Sequence, residues 1–279
     1  MKKIKRVVIL GSGGFISSSI ENELNKKKIN FLGLTRKKID LLKNSSVNKL
    51  NNILKKTDVV IIIAAKAPCK NLKMLEDNLQ IMRNILKALS KKSLKKVLYL
   101  SSDAVYSDSM KKINEKSKTN PNNFHGLMHL IREKMLLSLN LNNLCILRPT
   151  LVYGKNDPHN GYGPNSFLRL AKKNVPIKIF GNGEELRDHV HVDDVAKIIS
   201  ISILKNFVGE LNIVTGTKIS FYQIAKLAIK RSKSSSKIIK IKRKGPMPHN
   251  GYRLFNASAI KKYFKEVKLK NIKYNKLYN

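Results

Sequence analysis

Short apolar runs alternate with amphipathic stretches through the first half of the chain, and this rhythm restricts the fold more than any other feature. VVIL (Val7 to Leu10), INFLGL (Ile29 to Leu34), DVVIIIAA (Asp58 to Ala65), KVLYLSS (Lys96 to Ser102) and LCILRPT (Leu144 to Thr150) are brief and rich in branched or aromatic residues. Such runs read as strands buried on both faces. Between them, Ser18 to Lys28, Met74 to Ser90 and Phe124 to Leu139 repeat apolar residues at three- and four-residue spacing, which predicts helices. Strand and helix in alternation predict an α/β fold with a doubly wound parallel sheet. A chain of 279 residues is long enough, without staples, for one large α/β domain or for two unequal lobes sharing a hydrophobic core.

After Thr150 the rhythm breaks. LVYGKNDPHNGYGPN is a turn-rich loop, long enough to serve a function. A helix is expected over Ser166 to Lys173 and a short strand near Ile177 to Phe180. GNGEELRDHVHVDDVAKII then holds a helix start at Asp193 or Asp194, both of which read as caps. RSKSSSK, in the basic tail, reads as an exposed loop.

The formal charge of +38 invites a nucleic-acid reading. The lysines, however, are spread along the chain among abundant Asn and Ile, a pattern that AT-rich codons produce by themselves. No basic stripe is interleaved with aromatics, so nucleic acid is not an expected partner. Cys69 and Cys145 lie far apart and fit a reducing compartment rather than a disulfide framework. No segment approaches the roughly 18 apolar residues of a membrane span, and MKKIKRVVIL is too short in its apolar part for a signal peptide. A cytoplasmic location without membrane contact is the expectation.

The first strand runs directly into GSGGFISSSI. Gly11, Gly14 and Ser17 occupy the three positions of a G-x-x-G-x-x-G fingerprint, with Ser in the third place. Placed between strand and helix, the glycines allow a tight turn and close approach of a dinucleotide pyrophosphate to the helix N-terminus. The second strand is followed by Thr35, Arg36, Lys37 and Lys38, with no acid to take the ribose hydroxyls of NAD. Arg36 is suited to a 2′-phosphate, so NADP is favoured over NAD.

These motifs, together with SSDAVY, LRPTLVYG and RDHVHVDDVA in the same order, resemble the extended short-chain dehydrogenase/reductases, the NAD-dependent epimerase/dehydratase group that modifies nucleotide sugars. The resemblance runs from Val7 to about Ile260. It implies a Rossmann-type dinucleotide-binding domain over 1–154, its sheet completed by about 188–215, and a small substrate lobe formed by 155–187 and 216–279. It implies cofactor contacts from Gly11, Gly14, Phe15, Ile16, Ser17, Arg36, Asp40, Ala64, Ala65, Ser101, His129, Pro149 and Leu151. Thr150 would join Pro149 and Leu151 beside the nicotinamide. Asn165, Arg187 and Arg253 are implied to hold the substrate diphosphate. For Arg187 a plain salt bridge with Asp188 or Asp193 is the structural alternative.

The family carries its chemistry on a Ser or Thr after the fourth strand and on a Tyr-x-x-x-Lys pair one helix later. Ser102 fits the first role, but the Tyr and Lys positions are His125 and His129. Histidine titrates near neutral pH and is a competent acid or base, although imidazole reaches less far than phenol. A metal pair is disfavoured: Gly126 follows His125 where H-E-x-x-H has its Glu, and His159, His189 or His191 would have to supply a third ligand. Asp103 is followed by Ala104 rather than Glu, which disfavours dehydration. The expected activity is hydride transfer by an epimerase or reductase on a nucleotide-linked sugar. The alternative is a dinucleotide-binding regulator or scaffold whose site is degraded. The family also implies a homodimer that pairs the helices at Met74 to Ser90 and Phe124 to Leu139.

Overall fold

The computed structural model describes residues 4–158 and 160–273, so His159 lies outside the described residues. The chain divides into two compact units: 1–107, 115–149 and 195–213 form the first, and 108–114, 150–194 and 214–279 the second.

The first unit is built on a six-stranded sheet. Its strands are β1 (Arg6–Leu10), β2 (Phe31–Leu34), β3 (Asp58–Ile62), β4 (Lys96–Leu100), β5 (Leu144–Pro149) and β10 (Gly209–Ile213), in the spatial order β10-β5-β4-β3-β1-β2. Every pairing is parallel. All residues of β3, β4 and β5 are buried, while β2, at the edge, is mostly half-buried. The expected parallel sheet is therefore present, and its central strands have the two-sided burial that their unbroken apolar runs indicated.

The helices of this unit are α1 (Phe15–Lys26), α2 (Ser46–Ile53), α3 (Leu72–Leu89) and α4 (Phe124–Leu137), with α6 (Val192–Leu204) entering it near Val195. α1 starts three residues before the Ser18 expected from apolar spacing. The cause is the bond that Gly14 N–H donates to Ser17 Oγ at 2.8 Å, which caps a helix opening on Phe15 and Ile16. α2 was not expected at all, since SVNKLNNI is short and rich in Asn and buries only Ser46 and Leu50. α3 and α4 are capped by Asn71 and Asn123, whose side chains accept from the amides of Met74 and Gly126 at 2.9 and 3.0 Å.

The second unit has its own core, in which Phe167, Ile177, Ile179, Phe221, Ile224 and Ala228 are buried together. Around it lie β6 (Leu151–Tyr153) paired with β9 (His189–His191), β7 (Ile177–Phe180) with β12 (Ile238–Ile241), and β8 (Leu186–Arg187) between β11 (Ile219–Ser220) and β13 (Tyr252–Arg253). α5 (Pro164–Lys172), α7 (Phe221–Ser232) and α8 (Ser258–Tyr263) complete it. α7 takes in Arg231 and Ser232, so only 233–237 of the expected RSKSSSK loop is loop.

Asp193 and Asp194 are not caps. α6 begins at Val192, so both lie inside its first turn, where carboxylates suit the positive end of the helix dipole. Lys270 holds them, its Nζ 2.7 Å from Asp193 Oδ2 and its amide 2.5 Å from Asp194 Oδ2. Among the described residues, no helix is long and apolar enough to cross a membrane.

Candidate active site

Because β1 to β5 are parallel, their C-terminal ends share one edge of the sheet, and the residues that follow them are brought to that edge. Gly11 to Ser17 follow β1, Arg36 and Asp40 follow β2, Ala64 and Ala65 follow β3, Ser101 and Ser102 follow β4, and Pro149 ends β5.

The glycine turn suits a dinucleotide. Gly11 has φ +99° and a Cβ there would stand 2.5 Å from the Ala64 nitrogen, so only glycine lets the turn lie against the end of β3. Phe15 and Ile16 open α1, where amides have no partner within the helix and suit an anion. Ser17 keeps its hydroxyl between Gly14 N–H and, at 3.0 Å, Gly14 C=O. The departure from a third glycine is thus absorbed inside the cap.

After β2, Arg36 is 71% exposed and its Nε lies 3.8 Å from Asp40 Oδ1. Asp40 Oδ1 also accepts from the Leu42 amide at 3.2 Å. An acid stands near the strand end that the sequence order does not reveal. Glu21, on α1, accepts a hydrogen bond from Ser12 Oγ at 2.5 Å, and its Oε1 would be 3.3 Å from a Cβ on Gly33.

His125 and His129 project from one face of α4 with ring centroids 4.8 Å apart and planes at 86°. Burial lowers the pKa of His125, and the nearby Asp103 carboxylate opposes that only in part. Burial, with His125 and Arg132 as secondary causes, holds His129 well below the usual histidine range. Both rings are therefore neutral at pH 7. The Cys69 amide donates to His125 Nδ1 at 3.4 Å, which leaves the ring proton on Nε2. His129 Nδ1 is 2.8 Å from the hydroxyl of Tyr99, a fully buried residue of β4.

Gly126 permits this arrangement. A Cβ there would fall 2.1 Å from the Ala104 carbonyl oxygen, so α4 rests directly on the 3-10 turn Asp103–Val105. The Ser102 side chain caps that turn, accepting from the Ala104 amide at 3.2 Å. Beneath it, Ser101 Oγ donates to Glu133 at 2.5 Å, and Arg148 grips Glu133 through two bonds of 2.9 and 2.6 Å. Arg148 also donates to Tyr106 Oη at 2.9 Å, and Tyr106 in turn to Asn212 at 2.8 Å. Sequence reading did not single out Tyr99, Arg132, Glu133 or Arg148. The one available signal was charge inside apolar runs: IREK and ILRP each carry a charged residue where the pattern demands burial.

The remaining sequence-predicted residues belong to the second unit. Leu151 is 36% exposed on β6. Asn165 accepts from the Gly154 amide at 3.3 Å and donates to Asp157. Arg187 and Arg253 face each other in register across β8 and β13. Arg187 forms an ion pair with Glu185 at 3.4 Å. Asp188 accepts from Thr215 Oγ1 at 2.5 Å and from the Gly216 amide at 2.7 Å. Arg253 donates to Asp108 at 3.2 Å and lies 3.3 Å from His249 Nδ1. No metal-binding group of three His, Cys, Asp or Glu residues occurs among the described residues.

Comparison with known proteins agrees with this geometry. The dTDP-D-glucose 4,6-dehydratase of Dictyostelium discoideum is 27% identical over 273 residues, covering 81% of this chain and 62% of that protein. The crystal structure of Thermus thermophilus UDP-glucose 4-epimerase in complex with NAD superposes with a TM-score of 0.80 at 21% identity, over 94% of this chain and 92% of the other. The RMD protein of Pseudomonas aeruginosa complexed with NADPH gives 0.82 at 18% identity, over 98% and 97%. Residues 7–214, from the first buried strand to just past the last, match the model of one family, and the chain belongs to the NAD dependent epimerase/dehydratase family.

Proposed function

We propose that the chain is an NAD(P)-dependent oxidoreductase acting on a nucleotide-linked sugar, and that its site favours reduction of a keto sugar over epimerisation. The observation that carries this is the hydrogen bond that the Cys69 amide donates to His125 Nδ1 at 3.4 Å. Oxidising a sugar hydroxyl, the first step of epimerisation, needs a base with a free lone pair. His125 Nδ1 already accepts from the Cys69 amide, and the nitrogen left over is a donor. A neutral N–H donor in a partly buried site polarises a carbonyl as hydride arrives, and the alkoxide so formed takes its proton from solvent, which is a reductive task. The nicotinamide cofactor, when bound, supplies the hydride.

In this reading His125 meets the substrate oxygen, Ser102 orients it, and His129 donates to a ribose hydroxyl. Phe15 and Ile16 amides take the pyrophosphate, with Gly11, Gly14 and Ser17 shaping the turn. Ala64, Ala65, Ser101, Pro149 and Leu151 border the cofactor, and Arg36 beside Asp40 favours NADP. Asn165, Arg187 and Arg253 would take the substrate diphosphate, since guanidinium forks bind phosphate oxygens in pairs. A homodimer through α3 and α4 belongs to the same reading and is supported by the exposed Leu72, Phe124, Leu127 and Leu137.

The test combines a thermal-shift panel of NAD(H), NADP(H) and nucleotide sugars with NADPH consumption on 4-keto nucleotide sugars. Ligands of the folded state raise its midpoint by mass action. Failure to bind either dinucleotide sinks the reading. Tight NADPH binding with no hydride transfer to any sugar would favour a regulator or scaffold.

A further inference from the structure

We infer that Tyr99 is a positioning residue that fixes His129 as the tautomer bearing its proton on Nε2, so that a neutral imidazole can serve as the ligand-facing donor at the lysine position. The ligand is a hydroxyl of the dinucleotide ribose, and in that respect the inference rests on the function proposed above.

Tyr99 Oη and His129 Nδ1 are 2.8 Å apart and the contact is fully buried, so one hydrogen must lie between them. Burial pushes the Tyr99 phenol up and the His129 imidazolium down, so neither an ionised phenol nor a charged ring is available. Two neutral arrangements remain. If Nδ1–H donated to the phenol, the hydrogen of the phenol would need a second acceptor, and His129 is the partner of Tyr99 Oη among the described residues. A buried hydroxyl hydrogen without an acceptor is costly. If Tyr99 donates, its hydrogen is satisfied and the proton of His129 moves to Nε2, on the opposite side of the ring.

Tyr99 is itself held. The Arg132 guanidinium lies over its ring at 5.2 Å, and Arg132 Nη2 donates 2.7 Å to the carbonyl of Ala64, at the end of β3. The phenol therefore cannot turn away from His129 without disturbing a buried cation. Tyr99, on the strand behind the helix, thus supplies by hydrogen bonding the donor orientation that a lysine would carry by charge.

The experiment is two-bond 1H–15N correlation on the full chain labelled with 15N-histidine, with assignments from single His→Gln variants. Wild type is expected to show His129 Nδ1 as a hydrogen-bonded acceptor and Nε2 as the protonated nitrogen. In Tyr99→Phe, His129 should redistribute toward the Nδ1–H form, and the Kd for NADP(H) should rise about fivefold, the worth of one neutral hydrogen bond. A wild-type spectrum with the proton on Nδ1 overturns the inference, as does a Tyr99→Phe protein whose His129 tautomer is unchanged. The wild-type spectrum decides alone where Tyr99→Phe does not fold. Absence of dinucleotide binding by the wild type would remove the proposed function and leave the tautomer result standing, so the two failures are told apart.

Discussion

On the proposed reading, Glu21 and Arg36 would pull the cofactor choice in opposite directions. Arg36 is mostly in solvent and its 3.8 Å contact with Asp40 is loose enough to yield to a phosphate. Glu21, fixed to Ser12, keeps a negative charge beside Gly33 and opposes a 2′-phosphate. Arg36→Ala should weaken NADP binding about tenfold and leave NAD nearly unchanged, whereas Glu21→Gln should improve NADP relative to NAD about threefold, differences of roughly 1.4 and 0.6 kcal/mol. Titration calorimetry with both dinucleotides reads both ratios. His189 gives a second prediction at this scale. It is buried, burial pushes its pKa down to about 3, and neither ring nitrogen has a hydrogen-bond partner among the described residues. The folded chain refuses a proton that the unfolded histidine takes near pH 6.5. Stability is therefore complete above about 6.5 and is lost as pH falls from there toward 3. His189→Phe, which keeps an aromatic ring beside Phe221, should hold or raise the denaturation midpoint at pH 7 and flatten its decline in acid.

At the scale of elements, α4 places the histidines and Glu133 fixes α4 to the sheet. Glu133 and Arg148 are almost wholly buried, with side-chain exposures of 2% and 3%, and the closest contact between them is 2.6 Å. Removing Glu133 leaves the buried Arg148 with Glu210, 2.8 Å away and one-third exposed, as its remaining ion-pair partner, so Glu133→Gln should cost about 3 kcal/mol, the lower end for a broken buried pair, read from urea unfolding. Glu133→Gln combined with Arg148→Met should recover part of that loss, because the under-compensated cation is gone. This pair also marks where sequence reading stopped. The i, i+4 spacing of His125 and His129 was visible because helical periodicity is local, and β1, β3, β4 and β5 were visible because each holds four consecutive buried apolar residues. Contacts between distant positions, such as Tyr99 with His129, Ser101 with Glu133 or Glu21 with the end of β2, carry no local signature. α2 escaped for a related reason: an eight-residue helix burying one leucine and one serine has almost no periodicity to read.

Over the whole molecule, 56 basic residues face only 18 acidic ones, so the excess cations cannot all be paired within the chain. Acids that do matter are engaged locally: Asp58 with Arg6 at 2.6 Å, Asp77 with Lys66 and Lys73 at 2.6 and 3.0 Å, and Glu133 with Arg148. What remains is largely a shell of lysine whose self-repulsion opposes the compact state. Salt should relieve that repulsion more than it weakens the buried pairs, since screening acts on exposed charges: the Debye length falls from about 30 Å at about 0.01 M to about 3 Å at about 1 M. The denaturation midpoint should therefore rise with NaCl across this range, and rise further with sulfate or pyrophosphate at matched ionic strength, because multivalent anions also occupy the glycine turn. The Arg36→Ala variant separates the two contributions. It should keep the general salt effect, which belongs to the whole shell, and leave the pyrophosphate increment intact while losing part of any increment from 2′-phosphorylated ligands. A midpoint that falls steadily with NaCl would mean that exposed ion pairs, rather than the buried core of the sheet, hold this chain together.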